Sequence, residues 1–528
     1  VRGAGVALLL VLLLAAPASA QEAPDDRALL FMVEGLTYEG ALGDRVFGPL
    51  ARAGGIGLMT NAEPLASPEP LPFLTVWNLL PDTTGRLVEV IGEVEGEVLV
   101  VVAGTGAEAG AVTPVVVAQG VPADLLAGRG NPGGLTSDTT RRDGVVSNLD
   151  VEPTIRAFLG APLREDPGSP IRVEGEAPTA LAERYGEWRR SAAPVGLAVL
   201  IFALASLAAA LVVVTVGWTA AGRLVSLWVL FSTAVLVALV PAGLLPNRSL
   251  PVVLPAIAVM AALLTAGALA AGRPSTTRPI ALVAWTGLAL VVLDAAFGWP
   301  TGLTPLLGGG ALEGVRFFGL GNPYAGIVLC GAVLVAALFR PWAGVALLLG
   351  AALFAGLPFL GADLGGGLTL FAAAALWYSL RVRGRFGWRD AALMAAALLV
   401  GLALLAVAHT VLPSPASHVA RTVEGAGPLE LVEVFLRRLR LNLEATSAVP
   451  AAWLAVLGLP AWLVVVLRRP GPFRAPLERD AAWRQAAAVL AVGGMLGYVL
   501  NDTYGMAAVV FVFLSAAMVI PALRWTSD

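Results

Sequence analysis

Cysteine, histidine and lysine are nearly or wholly missing from this chain, and charge is scarce. Cys330 is the single cysteine among 528 residues, so an intrachain disulfide and a thiolate metal cluster are both excluded. It lies in an apolar run and reads as a small apolar core residue. No histidine precedes His409, and the second, His418, follows close behind. Every basic residue is arginine, which with abundant Ala, Gly and Pro marks GC-rich codon usage rather than chemistry. Charged residues make up 13%, about half the share of an ordinary soluble domain. The net charge of −3 gives no electrostatic footprint for a nucleic-acid partner.

What is present is apolar length: hydrophobic residues reach 57%. From Pro194 to Arg524 apolar segments follow one another, cut by short breaks containing Pro, Gly and Arg. About eleven have membrane-spanning length, for which a helix needs roughly 20 residues. They are 194–217, 222–245, 250–271, 279–298, 323–340, 342–360, 364–381, 389–412, 447–468, 484–501 and 505–523. Segments 323–340 and 364–381 are short and open to a tilted or re-entrant reading.

The first residues read as a secretory signal over 1–20. Arg2 supplies the positive end, Val6 to Ala15 the apolar stretch, and Ala18-Ser19-Ala20 the small-residue cleavage pattern. An uncleaved anchor is the alternative. Either way residues 21–175 are expected outside the cytoplasm, followed by a juxtamembrane linker over 176–193 and the multi-pass region over 194–528. Alternation from there places Arg223, Arg273, Arg278, Arg340, Arg381, Arg383, Arg385, Arg389, Arg468, Arg469, Arg474 and Arg484 on the cytoplasmic side. That is the positive-inside bias.

Within 27–175, Ala28–Val33, Val98–Ala103 and Val115–Ala118 read as buried strands of parallel-sheet type. Helical stretches at Glu39–Ala53 and Val151–Leu159 make an α/β sandwich the expected fold. Leu30-Phe31-Met32-Val33-Glu34-Gly35 resembles the first strand of the alkaline-phosphatase-like superfamily, where an Asp-Gly pair ends the strand. Leu149-Asp150-Val151-Glu152-Pro153-Thr154, with Phe158-Leu159-Gly160 after it, is similar to that superfamily's C-terminal Asp-x-x-Pro-Thr helix. The resemblance implies a two-metal hydrolytic site in which the first acid is a ligand. Here Glu34 replaces that Asp, and no histidine completes the set. Thr60 and Thr75 stand without an identifiable base. The expectation is therefore a degenerate, inactive domain kept for binding or support, with no metal site and Glu34 as a residual ligand candidate.

The membrane half carries its unusual residues on the side that the topology turns outward. Asp294, Arg316, Gly319, Gly321, Asn322, Asp363, His409 and Asp502 all fall there. Ionisable groups at membrane depth are costly and mark cavities or pathways. His409, Asp294, Asp363 and Asp502 are the candidate catalytic or proton-handling groups, His409 being the general base because imidazole titrates near neutrality. Arg316, Asn322, Gly319 and Gly321 are substrate-binding candidates, since glycine-rich helix entries and an arginine fork suit phosphate. Bracing readings stand beside these: a tight loop over 361–367, a plain turn at 501–502, and an Asp294–Arg316 pair. The longest outer loop, 412–447, contains an amphipathic helix over 429–443, whose Arg437 and Arg438 suit anionic headgroups.

Arg316-x-x-Gly319-x-x-Asn322-Pro323 is similar to a stretch in bacterial O-antigen ligases and polymerases, which use lipid-linked glycans at the outer face. Tyr324 stands where those have a second Asn. The expected partners are membrane lipids, a lipid-linked envelope precursor and envelope-assembly proteins, with no cofactor and no nucleic acid. The expected function is binding and processing of a lipid-linked or phosphate-bearing envelope substrate by a glycan or phospho-group transferase. A transporter or flippase, a non-catalytic scaffold and a metal-dependent phosphatase are the alternatives.

Overall fold

In a computed structural model the chain divides into two units, 1–179 and 180–528, each described by itself. The described residues are 27–34, 36–60, 74–79, 85–105, 112–130, 132–163, 168–174, isolated positions between 179 and 216, 219–245, 249–273, 275–303, 305–308, 318–411, 428–468 and 480–525. The signal sequence, most of the linker and first apolar segment, and Arg316 fall outside them.

The first unit runs β1 (Arg27–Glu34), α1 (Tyr38–Gly43), α2 (Phe47–Ala53), β2 (Gly55–Thr60), β3 (Leu74–Leu79), α3 (Gly85–Gly92), β4 (Val98–Thr105) and β5 (Val112–Gly120). It continues through α4 (Pro122–Leu126), β6 (Gly133–Thr136), β7 (Val145–Ser147), α5 (Val151–Phe158) and β8 (Arg172–Val173). The strands join in the order β3-β1-β4-β5-β2-β6-β8, with β7 beside β2. β1 is parallel to β3 and β4, as the apolar runs predict. β5 differs, pairing antiparallel with both β4 and β2. Its connection from β4 is shorter than the dozen or so residues a parallel crossover needs, so the chain turns straight back.

Alternation along β1 feeds two apolar layers. Leu29, Phe31 and Val33 pack with Phe47, Leu50 and Ile91, so α2 and α3 cover one face. Ala28, Leu30 and Met32 pack with Leu135, Val151 and Ile155, so α5 covers the other. The helix expected over 39–53 is two helices. Asp44 separates them by accepting from Val46 N at 2.7 Å and Phe47 N at 3.0 Å, which starts α2 afresh.

The second unit is helical: α6 (Thr219–Ala242), α7 (Leu250–Gly272), α8 (Arg278–Ala296), α9 (Asn322–Ala336), α10 (Pro341–Gly356), α11 (Leu364–Trp377), α12 (Trp388–Val411), α13 (Pro428–Ala448), α14 (Ala452–Leu467), α15 (Ala481–Leu500) and α16 (Gly505–Trp525). Six of these are long and apolar enough to cross a membrane, or seven if α13 and α14, bent by 111°, make one broken span. This is consistent with a multi-pass membrane protein. α9 and α10 are apolar but shorter, and α11 passes into a π-turn over Tyr378–Val382.

Burial separates centre from rim. Of the spanning window, 89% is buried in α16 but only 17% in α12. Leu399, Val400 and Val407 of α12 lie exposed on a helix that is apolar all round, a surface suited to lipid rather than water. At the centre, α9 presses against α16 at Gly326, where a Cβ would stand 2.9 Å from Val509 Cβ. Gly331 does the same toward α8, a Cβ there meeting Ala284 O at 2.9 Å. Small residues at such crossings let membrane helices approach closely.

Candidate functional site

Helix breaks at one end of the second unit bring most of the sequence-named residues together. Asp294, near the end of α8, accepts from Thr301 N at 3.0 Å and Thr301 Oγ1 at 2.5 Å, fastening the short turn over Pro300–Leu303. Trp299 in that turn donates from Nε1 to Leu360 O at 3.1 Å. Leu320 N donates to Gly361 O at 2.7 Å, joining the 318–321 loop to the break between α10 and α11. Gly319 sits beside it at φ +83°, where a Cβ would collide with the Gly361 carbonyl; no other residue fits there.

Asp363 is buried and caps α11, accepting from Gly366 N at 3.2 Å. His409 is buried with Nε2 3.1 Å from Gly356 O, so that nitrogen donates to the last carbonyl of α10. Asn501 donates from Nδ2 to Gly497 O at 2.8 Å, closing α15. Asn442 of α13 reaches the same place, donating to the carbonyls of Tyr498 and Asn501. On the same helix Thr446 pairs with Tyr498 Oη at 3.1 Å. Thus the amphipathic helix is pinned to the α15–α16 turn by its polar stripe, while Arg437 stays exposed and Arg438 half-buried.

Asn322 opens α9 directly after Gly321. Its Nδ2 donates to Asp502 Oδ1 at 2.7 Å and lies 2.6 Å from Thr503 Oγ1. These residues line one end of a cavity of about 740 Å³, whose walls come mainly from α6, α14 and α16. The walls below are almost wholly apolar, with Leu236, Leu239, Ala455 and Val512 among them. The lining follows α16 from Gly505 to Ala516, about 16 Å at the helical rise. The few polar groups at depth are already satisfied: Ser515 Oγ accepts from Trp462 Nε1 at 2.9 Å, and Ser232 Oγ lies 2.8 Å from Trp228 O. Asn322 is 7% exposed, and its Oδ1, like Asp363 Oδ2, is sealed from solvent with no hydrogen-bond partner among the described residues.

Of the sequence candidates, Gly321, Asn322 and Asp502 line the cavity. Asp294, Asp363, His409 and Gly319 gather at the same end of the unit but outside the lining, each held in the contact given above. Sequence reading passed over Asn442, Thr446 and the helix serines. Each is a lone polar residue in an apolar or amphipathic stretch, a signal that does not separate local backbone bonding from a site.

In the first unit Asp150 is fully buried and accepts from Ser137 Oγ at 2.7 Å, Ser147 N at 2.8 Å and Ser169 N at 3.0 Å. Burial pushes its carboxyl above the usual range, and the same hydrogen bonds oppose that shift. Asp138 moves the other way, held low by its two-pronged bond from exposed Arg172. Thr60 is buried and donates to Val146 O at 3.4 Å, while Thr75 is exposed on β3. The Glu34 side chain lies outside the described residues. Among those described, no three His, Cys, Asp or Glu side chains converge as a metal site would require.

No protein-family model, no curated protein and no solved structure matches this chain.

Proposed function

We propose that this is a multi-pass protein of a bacterial cell membrane whose outward-facing cavity binds a lipid-linked substrate of the envelope. The cavity itself carries the reading. Its depth of about 16 Å equals one leaflet, half of a hydrocarbon core of roughly 30 Å. Its walls are apolar and one end is lined by Asn322, Asp502 and Thr503, so it suits a molecule with a long apolar tail and a polar head. A volume near 740 Å³ lies within the range of small-molecule pockets. A dry apolar void of that size would be a large stability defect if nothing filled it.

Orientation is supported by the arginine distribution: Arg273, Arg340 and Arg383 lie at the helix ends remote from Asn322 and Asp502, as positive-inside topology requires. The mixed-sheet unit then lies outside the cytoplasm. We assign it an alkaline-phosphatase-like ancestry and an accessory role, since Asp150 of the resembling motif is consumed in internal bonds. Arg316, seven residues before Pro323 in the sequence, is assigned to the substrate's phosphate.

Mass spectrometry of lipids extracted from the purified full-length protein tests the reading. The expected result is one amphiphile retained at close to one per chain and lost on filling the cavity with Ala508→Phe. Equal lipid recovery from wild type and that variant would overturn it.

A further inference from the structure

At the end of the helical unit remote from the cavity's polar residues, we infer a site for an anionic phospholipid of the cytoplasmic leaflet. Arg340, Arg385 and Arg389 would hold its phosphate, and an acyl chain would lie along the first half of α12. The inference rests on the multi-pass reading and orientation above, and is independent of the lipid cavity.

α12 is fastened at both ends and loose between them. Near its far end Gly401, Leu405 and His409 are buried; Gly401 abuts Phe371 of α11, and Leu405 fills the notch at Gly356 of α10. At its start buried Asp390 holds Arg383 at 2.6 Å and accepts from Gly387 N at 2.9 Å. Between these anchors no residue of 391–400 is buried. Leu393, Met394, Ala397 and Leu398 continue the stripe of Gly401 and Leu405 at helical spacing, yet stay only half-buried. The loose stretch is about 15 Å long at the helical rise, the depth of one leaflet.

The start of α10 adjoins the same end. Trp377 Nε1 donates to Pro341 O at 3.1 Å, and the rings of Trp342 and Tyr378 lie 5.4 Å apart. After the π-turn the chain folds back, Arg385 N donating to Ser379 O at 3.2 Å. Arg340, Arg385 and Arg389 are exposed here, and none has a carboxylate at ion-pair distance among the described residues. Asp390, the only acid within 338–342 and 378–390, is already spent on Arg383. Unmatched guanidinium forks suit a phosphate, which they can bind through paired N–H groups.

The aromatics decide between a lipid and a soluble anion. Phe339, Trp342, Phe386 and Trp388 are each more than half exposed around the arginines, and the Arg389 guanidinium lies 5.4 Å from the Trp388 ring centre. Such residues belong at the headgroup boundary. A soluble anion would leave both them and the loose stretch of α12 uncovered. Basic pockets between helices on the cytoplasmic side are suited to anionic headgroups.

The test uses full-length protein in phosphatidylcholine nanodiscs carrying a trace of photoactivatable phosphatidylglycerol or phosphatidylcholine with identical chains. Cross-linked peptides are read by mass spectrometry. Phosphatidylglycerol should label 388–400 about 10-fold more efficiently than phosphatidylcholine. Arg385→Gln with Arg389→Gln should abolish that preference while phosphatidylcholine labelling stays unchanged, which also reports an intact bundle. Arg273→Gln with Arg278→Gln removes the same charge from the turn between α7 and α8 and should leave the preference in place. Excess inorganic phosphate, an anion without a tail, should not compete. Equal labelling by the two lipids in wild type would overturn the site. So would an equal loss in the α7–α8 variant, which would mean diffuse surface charge only, or full competition by phosphate. Failure of both lipids to label α12 would instead overturn the multi-pass reading beneath it.

Discussion

Ala507 and Ala508 are adjacent on α16, yet the structure assigns opposite consequences to enlarging them. Ala507 is fully buried against neighbouring helices, whereas Ala508 lines the cavity. Helix propensity is common to both sites and cancels in the comparison. Ala507→Phe forces a ring into packed space, for which overpacking costs about 1–3 kcal/mol or more. Ala508→Phe projects its ring into a void of about 740 Å³, so its cost should be close to zero. It also places the ring about 5 Å below Gly505, across the path of any tail descending the cavity. Excluding even about four methylenes removes about 3 kcal/mol of burial, on the order of a hundredfold in affinity. Unfolding midpoints of both variants in one detergent, with lipid content of each, make the measurement. If Ala508→Phe destabilises as much as Ala507→Phe, the cavity does not exist in the folded protein. If it is stable and retains its lipid, the cavity is not where the lipid sits.

Four further outcomes follow from the same contacts. Asp150→Ala strips three donors of their acceptor and should destabilise the mixed-sheet unit by about 3–5 kcal/mol, read by denaturant unfolding. Arg172→Ala breaks a pair in which both side chains are about half exposed, and should change stability by less than about 1 kcal/mol, the effect shrinking further in high salt. Asp138 is held low, so its contribution is present above the unfolded carboxylate range and lost as pH falls. Asp150 is raised, so its contribution is present below the unfolded range and lost as pH rises through its folded value; unfolding scans from pH 3 to 7 on wild type and Arg172→Ala separate the two. His409→Ala removes a donor to Gly356 O and should lower bundle stability by about 1–2 kcal/mol while lipid content stays unchanged.

Hydrophobic pattern made the two-part organisation legible, because strand runs buried on both faces and spans of about 20 apolar residues each have few alternatives. The strands 28–33 and 98–103 pair in parallel as read. The direction of β5 was not legible from its own residues, since an apolar run looks alike in either sense; only the short connection from β4 decides it. The single helix read over 39–53 missed Asp44, a local cap that outranks the surrounding periodicity. At the cavity, Asn322 and Asp502 stood out as polar residues at helix ends. Their joining required α9 and the α15–α16 turn to meet, a contact between residues about 180 positions apart that no local pattern encodes.

Carboxylates drew the eye in the sequence because charge at membrane depth is expensive, but cost alone does not mark a site. Asp294 fastens a turn, Asp363 caps α11, and Asp390 of α12 is bound to Arg383 at 2.6 Å. In each case the acid offsets an irregularity of the backbone or an arginine beside it. Breaking a membrane helix exposes N–H groups that something must satisfy, and an acid at the break is the shortest way to do so. Such residues are needed for the bundle to exist whether or not a substrate ever binds. Asn322 is bonded in the same way, its Nδ2 donating to Asp502 and lying against Thr503, so it too holds a break, the α15–α16 turn. It differs in place, because it also lines the cavity. Asn322→Ala should therefore loosen that turn by about 1–2 kcal/mol, read as a lower unfolding midpoint in detergent.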